Sequence, residues 1–445
     1  MAQPSLTRRI LALAIPSLGA LVAEPLFLLT DTAMVGHLGA VPLASLGLAS
    51  TVLFTVVGLL IFLAYATTPI VARRLGSGDR AGAVSAGIDG VWLALALGIL
   101  LGVAGLIATQ SVVSAFAAEI SVEGGAISYL MISWWGLPGM LVVIAATGLM
   151  RGLQDARPPL WIAVGGFGAN AALNALLIYG FGLGLVGSAI GTVLAQWAMA
   201  IVFVALISKE AAKHGVSLAP GVLGIRAAAS SGSWLFFRTV SLRVALVATV
   251  VVATDLGTQE LAAWHIIFTL FTLLALALDA LAIAGQAMIG HDLGSGDVEG
   301  VRNTTTMLMK WGIFAGGMLA IPTGLLAPVL PFVMTSDQAV RNVLVPTIVV
   351  LAISLPLSGF VFVLDGVLIG AGDGKYLAVT GVLNVVMFMP FLWVAAATEW
   401  MVGGVNLGGL LMLEVAYGIS YIGARALTLG LRARGTRWMV VGESR

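Results

Sequence analysis

The chain has 445 residues, of which 60% are hydrophobic and only 9% are charged, and its formal net charge is +1. Soluble globular proteins carry roughly a quarter charged residues, so this composition excludes a soluble enzyme. The near-neutral charge provides no basic face for nucleic acid. With no Cys and four scattered His, the sequence offers no disulfide framework, no metal site and no cofactor site.

Continuous apolar runs predict a polytopic all-α membrane protein, because a helix needs about 20 apolar residues to cross a bilayer. The first run follows Thr7-Arg8-Arg9 and is too long for a signal peptide. In chain order, the twelve predicted spans are 10–35, 43–72, 84–109, 125–150, 159–180, 184–207, 228–254, 260–290, 308–334, 342–370, 376–397 and 401–424.

The basic residues predict the orientation of the spans. With the N-terminus in the cytoplasm, every Lys and Arg lies on the cytoplasmic side except Arg341, in an external loop, and Arg238 and Arg243, within a span. Basic residues concentrate in cytoplasmic loops, so both termini are expected inside the cell.

The sequence also contains an internal repeat. Leu75-Gly-Ser-Gly-Asp79 recurs as Leu293-Gly-Ser-Gly-Asp297, and the same offset pairs Leu38-Gly39 with Leu256-Gly257. Each copy holds six spans, an even number, which predicts two lobes related by a pseudo-two-fold axis along the membrane normal. The predicted division is an N-lobe (1–207), a cytoplasmic linker (208–227), a C-lobe (228–424) and a cytoplasmic tail (425–445).

The repeated pentapeptide is interpreted as a turn between two helices. Gly76 is expected to close one helix in the left-handed region, and Asp79 to cap the next. A phosphate-binding loop is disfavoured because no GxxxxGK[ST] motif is present.

Ionisable residues within spans are the default functional candidates, because charge in hydrocarbon is costly. Span one carries Glu24 and Asp31, and its Pro16 and Pro25 can bend the helix. No basic residue lies within spans one to six to neutralise Asp31. Two readings stay open: a carboxyl that takes up and releases a proton, or an Asp hydrated at the outer interface.

Polar residues in spans five and six accompany Asp31. Asn170 and Asn174 lie four residues apart, on one helical face, and Thr192 follows in span six. Their oxygens suit Na⁺ or a proton relay, whereas hydrogen bonding between helices is the alternative.

The second half has a different set of buried charges. Its candidates for a substrate site or a second ion site are Arg238, Arg243, Asp279, Asp365 and Glu414. Mutual neutralisation of these charges is the alternative reading.

Several segments together resemble the multidrug and toxic compound extrusion (MATE) transporters, in particular the DinF-like branch. These segments are Asp31-Thr-Ala-Met-Val-Gly-His-Leu-Gly39, the two Leu-Gly-Ser-Gly-Asp loops, Leu149-Met-Arg-Gly-Leu-Gln-Asp155, and Asn170 and Asn174 with Gly187-Ser-Ala-Ile-Gly-Thr192. The resemblance covers nearly the whole chain.

The resemblance implies a secondary antiporter, not an enzyme, in which two lobes alternate between outward- and inward-open states. It implies export of organic, cationic or amphipathic small molecules in exchange for H⁺, with Na⁺ as the alternative. Asp31 matches the coupling residue of the family, and Asn170, Asn174 and Thr192 match its polar partners. Many relatives have Asp where this chain has Asn174, which leaves one carboxylate. The family habit also implies a monomer in the plasma (inner) membrane.

The nearest rival is a lipid or oligosaccharide flippase of the same superfamily. Such proteins usually have extra helices and a more charged cavity, neither of which this sequence predicts. The expected partners are therefore a small organic substrate and the lipid bilayer, without nucleic acid.

Overall fold

A computed structural model describes residues 5–442 of the chain, which are almost entirely helical. The N-terminal half contains α1 (Leu6–Gly36), α2 (Ala40–Leu60), α3 (Phe62–Gly76), α4 (Arg80–Ser114), α5 (Ile120–Ser133), α6 (Leu137–Gly152), α7 (Arg157–Ala175), a π-helical turn (Leu176–Gly180) and α8 (Gly184–Lys213). The C-terminal half contains α9 (Val222–Leu256), α10 (Thr258–Gly294), α11 (Val298–Leu326), α12 (Leu330–Met334), α13 (Gln338–Gly370), α14 (Gly374–Ala397), β1 (Met401–Val402), β2 (Val405–Asn406), α15 (Leu407–Glu414), a second π-helical segment (Val415–Tyr421) and α16 (Ile422–Arg434).

These helices confirm the predicted fold class. Within the described residues, eleven helical segments are long and apolar enough to cross a membrane, and the bent pair α5 and α6 supplies a twelfth. The chain forms two compact units, Ile15–Gly232 and Ser233–Arg445 with Met1–Ala14, which we call the N-terminal and C-terminal units. The boundaries between them fall inside α1 and α9.

The fourth span, predicted at 125–150, consists of two helices and not of one continuous helix. Its two parts, α5 and α6, meet at an angle of 54°. Pro138 lies in the first turn of α6. Proline lacks the N–H donor that a continuous helix would need there, but it fits a first turn, so the helix starts anew.

The last span was predicted at 401–424, but its helix begins at Leu407 and continues to Arg434. Residues 401–406 instead form a small antiparallel hairpin. Gly403 and Gly404 provide its turn with φ angles of 61° and 88°, which glycine adopts without a steric penalty. The predicted tail therefore contributes helix up to Arg434, and its residues 443–445 lie outside the described part of the chain.

The two Leu-Gly-Ser-Gly-Asp segments are turns that cap helices, as predicted. Asp79 Oδ1 accepts a hydrogen bond from the Gly82 N–H, and Asp297 Oδ1 accepts one from the Gly300 N–H, both at 2.7 Å. The prediction for Gly76 was wrong, because α3 continues through it. The left-handed residue is Gly78, with φ of 87°, two positions further on.

Equivalent glycines of the internal repeat make equivalent close helix contacts in the two units. A Cβ added at Gly148 would lie 2.8 Å from the Ala64 carbonyl oxygen, and one added at Gly366 would lie 2.4 Å from that of Ala282. Both members of the second pair follow their counterparts by 218 positions. Glycine permits helices to approach this closely in membrane proteins, so both units use the same packing device.

Candidate functional site

The N-terminal unit contains a cavity of about 250 Å³. Helices α1–α3 and α5–α8 line it, and most of its wall is apolar or aromatic. Phe27 and Phe167 stack within the wall, with ring centroids 5.1 Å apart. A mostly apolar wall with a few polar groups is typical of a binding site for small organic molecules.

Asp31 lies in this wall and is 5% exposed. Its Oδ1 accepts hydrogen bonds from Asn174 Nδ2 and Ser188 Oγ, both at 2.7 Å. Among the described residues, nothing donates to its Oδ2 and no basic side chain forms an ion pair with it. One oxygen of Asp31 is therefore held in place, while the other remains open to a ligand.

The other two predicted polar residues lie close to this pair. Asn170 Nδ2 donates to Thr192 Oγ1 at 3.2 Å, and both residues line the cavity. Asn170 lies one turn before Asn174 on α7, and both are buried. Helices α1, α7 and α8 thus bring together all four residues predicted from the sequence, with only Asn174 bonded directly to Asp31.

Sequence reasoning missed Ser188, the second donor to Asp31. Serine in a helix often bonds to a carbonyl oxygen of its own preceding turn, so its type alone gives no sign of a functional contact. Tyr129 on α5 was also missed; it is 4% exposed and lies beside Ser188 and Thr192. The only sign in the sequence was that Ser188 belongs to the segment 187–192, which is one of the segments that resemble the MATE family.

Glu24 adds a second carboxyl to the cavity wall. It precedes Asp31 by seven residues, which places both on one face of α1. Pro25, next to it, interrupts the backbone hydrogen bonding of the same helix. Arg151 is the one Lys or Arg in the wall, so acidic groups outnumber basic ones, and a cavity of this kind attracts cations.

In the C-terminal unit, two of the predicted charges bind each other. Arg238 Nε donates to Asp365 Oδ1 at 3.2 Å, and its Nη2 donates to Oδ2. Arg425 Nη2 lies 3.5 Å from the same Oδ2. All three residues are buried. Asp365 is thus enclosed by two guanidinium groups, one of which was predicted to belong to the tail.

The remaining candidates of this unit are dispersed over three helices. Arg243 is exposed on α9, and Asp279 is half-buried on α10. Glu414 is 1% exposed at the end of α15 and forms no ion pair with any described residue. The structure therefore joins Arg238 with Asp365 but shows no single site built from all five residues.

Apolar membrane-spanning helices in two similar halves, with a buried acidic cavity in one of them, are typical of membrane transporters. The sequence model of the MatE family matches residues 16–176 and 235–394, one stretch in each half of the repeat. The chain belongs to this family, whose members are transporters, and the predicted resemblance is confirmed.

Relatives from plants and bacteria extend the match over most of the chain. The Arabidopsis thaliana protein DETOXIFICATION 45, chloroplastic, is 28% identical over 98% of this chain and 78% of its own length. DNA damage-inducible protein F of Escherichia coli K12 is 25% identical, with 89% of this chain and 90% of its own length covered.

A solved structure supports the fold. The Vibrio cholerae MATE transporter VcmN in its bent form matches with a TM-score of 0.86 and 20% identity, over 96% of this chain and 97% of the other. At this level of identity the match shows a shared fold.

Proposed function

We propose that this protein is an antiporter that exports organic, cationic or amphipathic compounds in exchange for H⁺. The observation that carries the proposal is the geometry of Asp31. A buried carboxyl faces a mostly apolar cavity, is held through one oxygen, and has no ion-pair partner among the described residues.

The exchange follows from the charge of this carboxyl. When Asp31 is ionised, the cavity holds a cation by an attraction that a low dielectric strengthens. A proton that reaches Asp31 from outside removes the charge, and the substrate leaves. The proton and the substrate cation compete for the same carboxylate, so the binding of one excludes the other. Exchange also requires that each of them favours a different conformation of the carrier.

The lining of the cavity also supports the proposed class of substrate. Glu24 supplies a second negative charge on the same face of α1. The stacked rings of Phe27 and Phe167 offer aromatic surface to a flat, delocalised ring system, and aromatic faces attract cations. Planar aromatic cations such as ethidium match both features.

Na⁺ coupling is the second candidate, and one observation favours it. Asn170 Oδ1 and Asn174 Oδ1 are buried and accept no hydrogen bond from the described residues. Carbonyl and carboxylate oxygens are the ligands that hard cations prefer. With Asp31, they offer three oxygens, while the single carboxylate supplies only one charge.

The arrangement in the cell belongs to the same proposal. The distribution of Lys and Arg supports an orientation with both termini in the cytoplasm, and the habit of the family supports the plasma (inner) membrane. We propose a monomer in which the lobes 1–207 and 228–424, joined by the linker 208–227, alternate access to the cavity.

Imposed ion gradients test the choice of coupling ion. Proteoliposomes with an acidic interior are expected to accumulate ethidium in Na⁺-free buffer, since protons leave as the cation enters. A Na⁺ gradient at equal pH is expected to drive no accumulation. Accumulation of ethidium under the Na⁺ gradient alone would favour Na⁺ coupling. If ethidium accumulated under neither gradient, the proposed export of ethidium would be contradicted.

Gly191 provides a test of how Asp31 is held. A Cβ at this position would lie 2.1 Å from Asn174 Oδ1, so Gly191→Ala has to displace the amide that donates to Asp31. Overpacking of this kind costs about 1–3 kcal/mol. We expect folded protein with a several-fold lower rate of ethidium transport in proteoliposomes.

The matched control is Gly168→Ala on α7, where a Cβ would meet no atom within 4 Å. It is expected to transport at the wild-type rate. Equal rates in the two variants would show that the position of Asn174 does not matter for coupling.

A further inference from the structure

A row of buried polar side chains follows the last helical segment of the C-terminal unit. Glu414 and Tyr421 are each 1% exposed, and Arg425 and Thr428 are 9% and 8% exposed. Tyr421, Arg425 and Thr428 follow one another at spacings of four and three residues, which places them along one side of α16, and Glu414 lies just before the π-helical segment that leads to them. Arg432 continues the row and binds Asp373 at 2.7 Å.

Glu414 is the one charged member of this row that forms no ion pair or side-chain hydrogen bond with the described residues. Its Oε1 is buried and has no hydrogen-bond partner among the described residues. A Cβ at Gly418 would lie 3.1 Å from both Glu414 Oε1 and Ser354 Oγ, so the glycine leaves space beside the carboxyl. An ionised carboxylate here would be an uncompensated buried charge, which costs several kcal/mol.

The charged and titratable groups on the elements around Glu414 are otherwise engaged or lie elsewhere along their helices. Tyr417, Tyr421 and Arg425 share its helix, α13 supplies Asp365, α9 supplies Arg238, and α10 supplies Glu260 and Asp279. The two arginines bind Asp365, and Glu260 Oε1 accepts the Asn406 N–H at 2.5 Å. None of these groups forms an ion pair with Glu414.

The local backbone distinguishes this position further. The π-helical segment Val415–Tyr421 begins directly after Glu414. Such segments are rare and occur frequently at functional sites, since they disturb the regular ladder of hydrogen bonds. The Tyr421 hydroxyl within it is likewise buried without a hydrogen-bond partner in the described chain.

The row connects Glu414 to the end of the helix that we assign to the cytoplasm. Beyond Tyr421 come Arg425, then Thr428 with Asn384 Nδ2 at 3.3 Å, then Arg432. From Glu414 to Arg432 the chain rises by no more than about 27 Å, at 1.5 Å per residue of α-helix and less through the π-helical segment. This is close to the hydrocarbon thickness of about 30 Å, so polar groups accompany the carboxyl across most of the membrane.

We propose that Glu414 is a second proton-binding site of the transporter, in the C-terminal unit. The step is reversible binding of one proton to the carboxylate, without any other bond change. The inference rests on proton-coupled exchange as the function of the protein, and it adds a second proton to each cycle beside that of Asp31.

Infrared difference spectra of the purified full-length protein in lipid test the proposal, because a protonated carboxyl has its own C=O stretching band. We expect Asp31→Asn to retain a carboxyl band that disappears as the pH is raised. The double variant Asp31→Asn with Glu414→Gln is expected to lose it. Glu414→Asp is expected to restore the band at a shifted frequency, and Glu399→Gln, at an exposed acid, to leave it unchanged.

A band assigned to Glu414 that stays constant over the whole pH range would overturn the proposal, since it would mark a permanently neutral acid. The absence of any difference between Asp31→Asn and the double variant would overturn it as well. Proton counting separates the two proposals: Glu414→Gln is expected to move one proton fewer per ethidium while still transporting. If the wild type moved no protons during ethidium transport, the proposed function itself would instead be refuted.

Discussion

Asp31→Asn is expected to abolish proton-driven export. The amide is nearly isosteric with the carboxyl, and its oxygen can still accept the hydrogen bonds from Asn174 and Ser188 that now reach Oδ1. The variant should therefore fold normally. It lacks the charge that holds the cation and the group that binds the proton, so we expect ethidium transport to fall at least about tenfold, the equivalent of 1.4 kcal/mol or more in activation free energy.

The matched control for this variant is Glu119→Gln. It makes the same chemical change at an exposed position preceding α5. We expect it to transport at the wild-type rate in the same proteoliposomes. Wild-type transport by Asp31→Asn would remove Asp31 from the mechanism and direct attention to Glu24 in the same cavity.

The second large effect concerns stability. Asp365→Asn would leave Arg238 and Arg425 buried without the carboxylate that both now face. Breaking a buried ion pair from one side costs about 3–5 kcal/mol, because the remaining charge is uncompensated. We expect the variant to have the lowest thermal midpoint of the C-terminal charge variants, measured by unfolding in detergent.

The two arginines provide graded comparisons. Arg238→Gln and Arg425→Gln each leave Asp365 one cationic neighbour, so both should destabilise less than Asp365→Asn. Arg243→Gln is the control, because Arg243 lies on the same helix as Arg238 but is exposed. If Asp365→Asn were as stable as this control, the cluster would not contribute to the fold.

The sequence was sufficient to predict the helical membrane fold and part of the site. Long apolar runs can only be helices in lipid, because every backbone polar group must be satisfied within the segment. An acid in such a run is conspicuous, which made Glu24 and Asp31 candidates, and the resemblance to the family then singled out Asp31. The four-residue spacing of Asn170 and Asn174 correctly placed them on one buried face of α7.

Other features depended on contacts that a single helix does not specify. Ser188 looks like any small residue of a packed helix until α8 is placed beside Asp31. Arg425 looked like part of a basic tail, but it lies within α16, with its Nη2 3.5 Å from Oδ2 of the buried Asp365 on α13. Periodicity gives the face of a helix but not the neighbour that this face meets, so the partners of Asp31 and Asp365 emerge only from the fold.

The central claim is that a substrate cation displaces a proton from Asp31. Calorimetric titration of ethidium into the purified protein, in buffers of different ionisation enthalpy at mildly acidic pH, counts the protons released on binding. We expect the wild type to release protons and Asp31→Asn to bind ethidium more weakly while releasing fewer protons, by up to one for each ethidium bound. Equal proton release by the two proteins, or none from the wild type, would contradict exchange at this carboxyl.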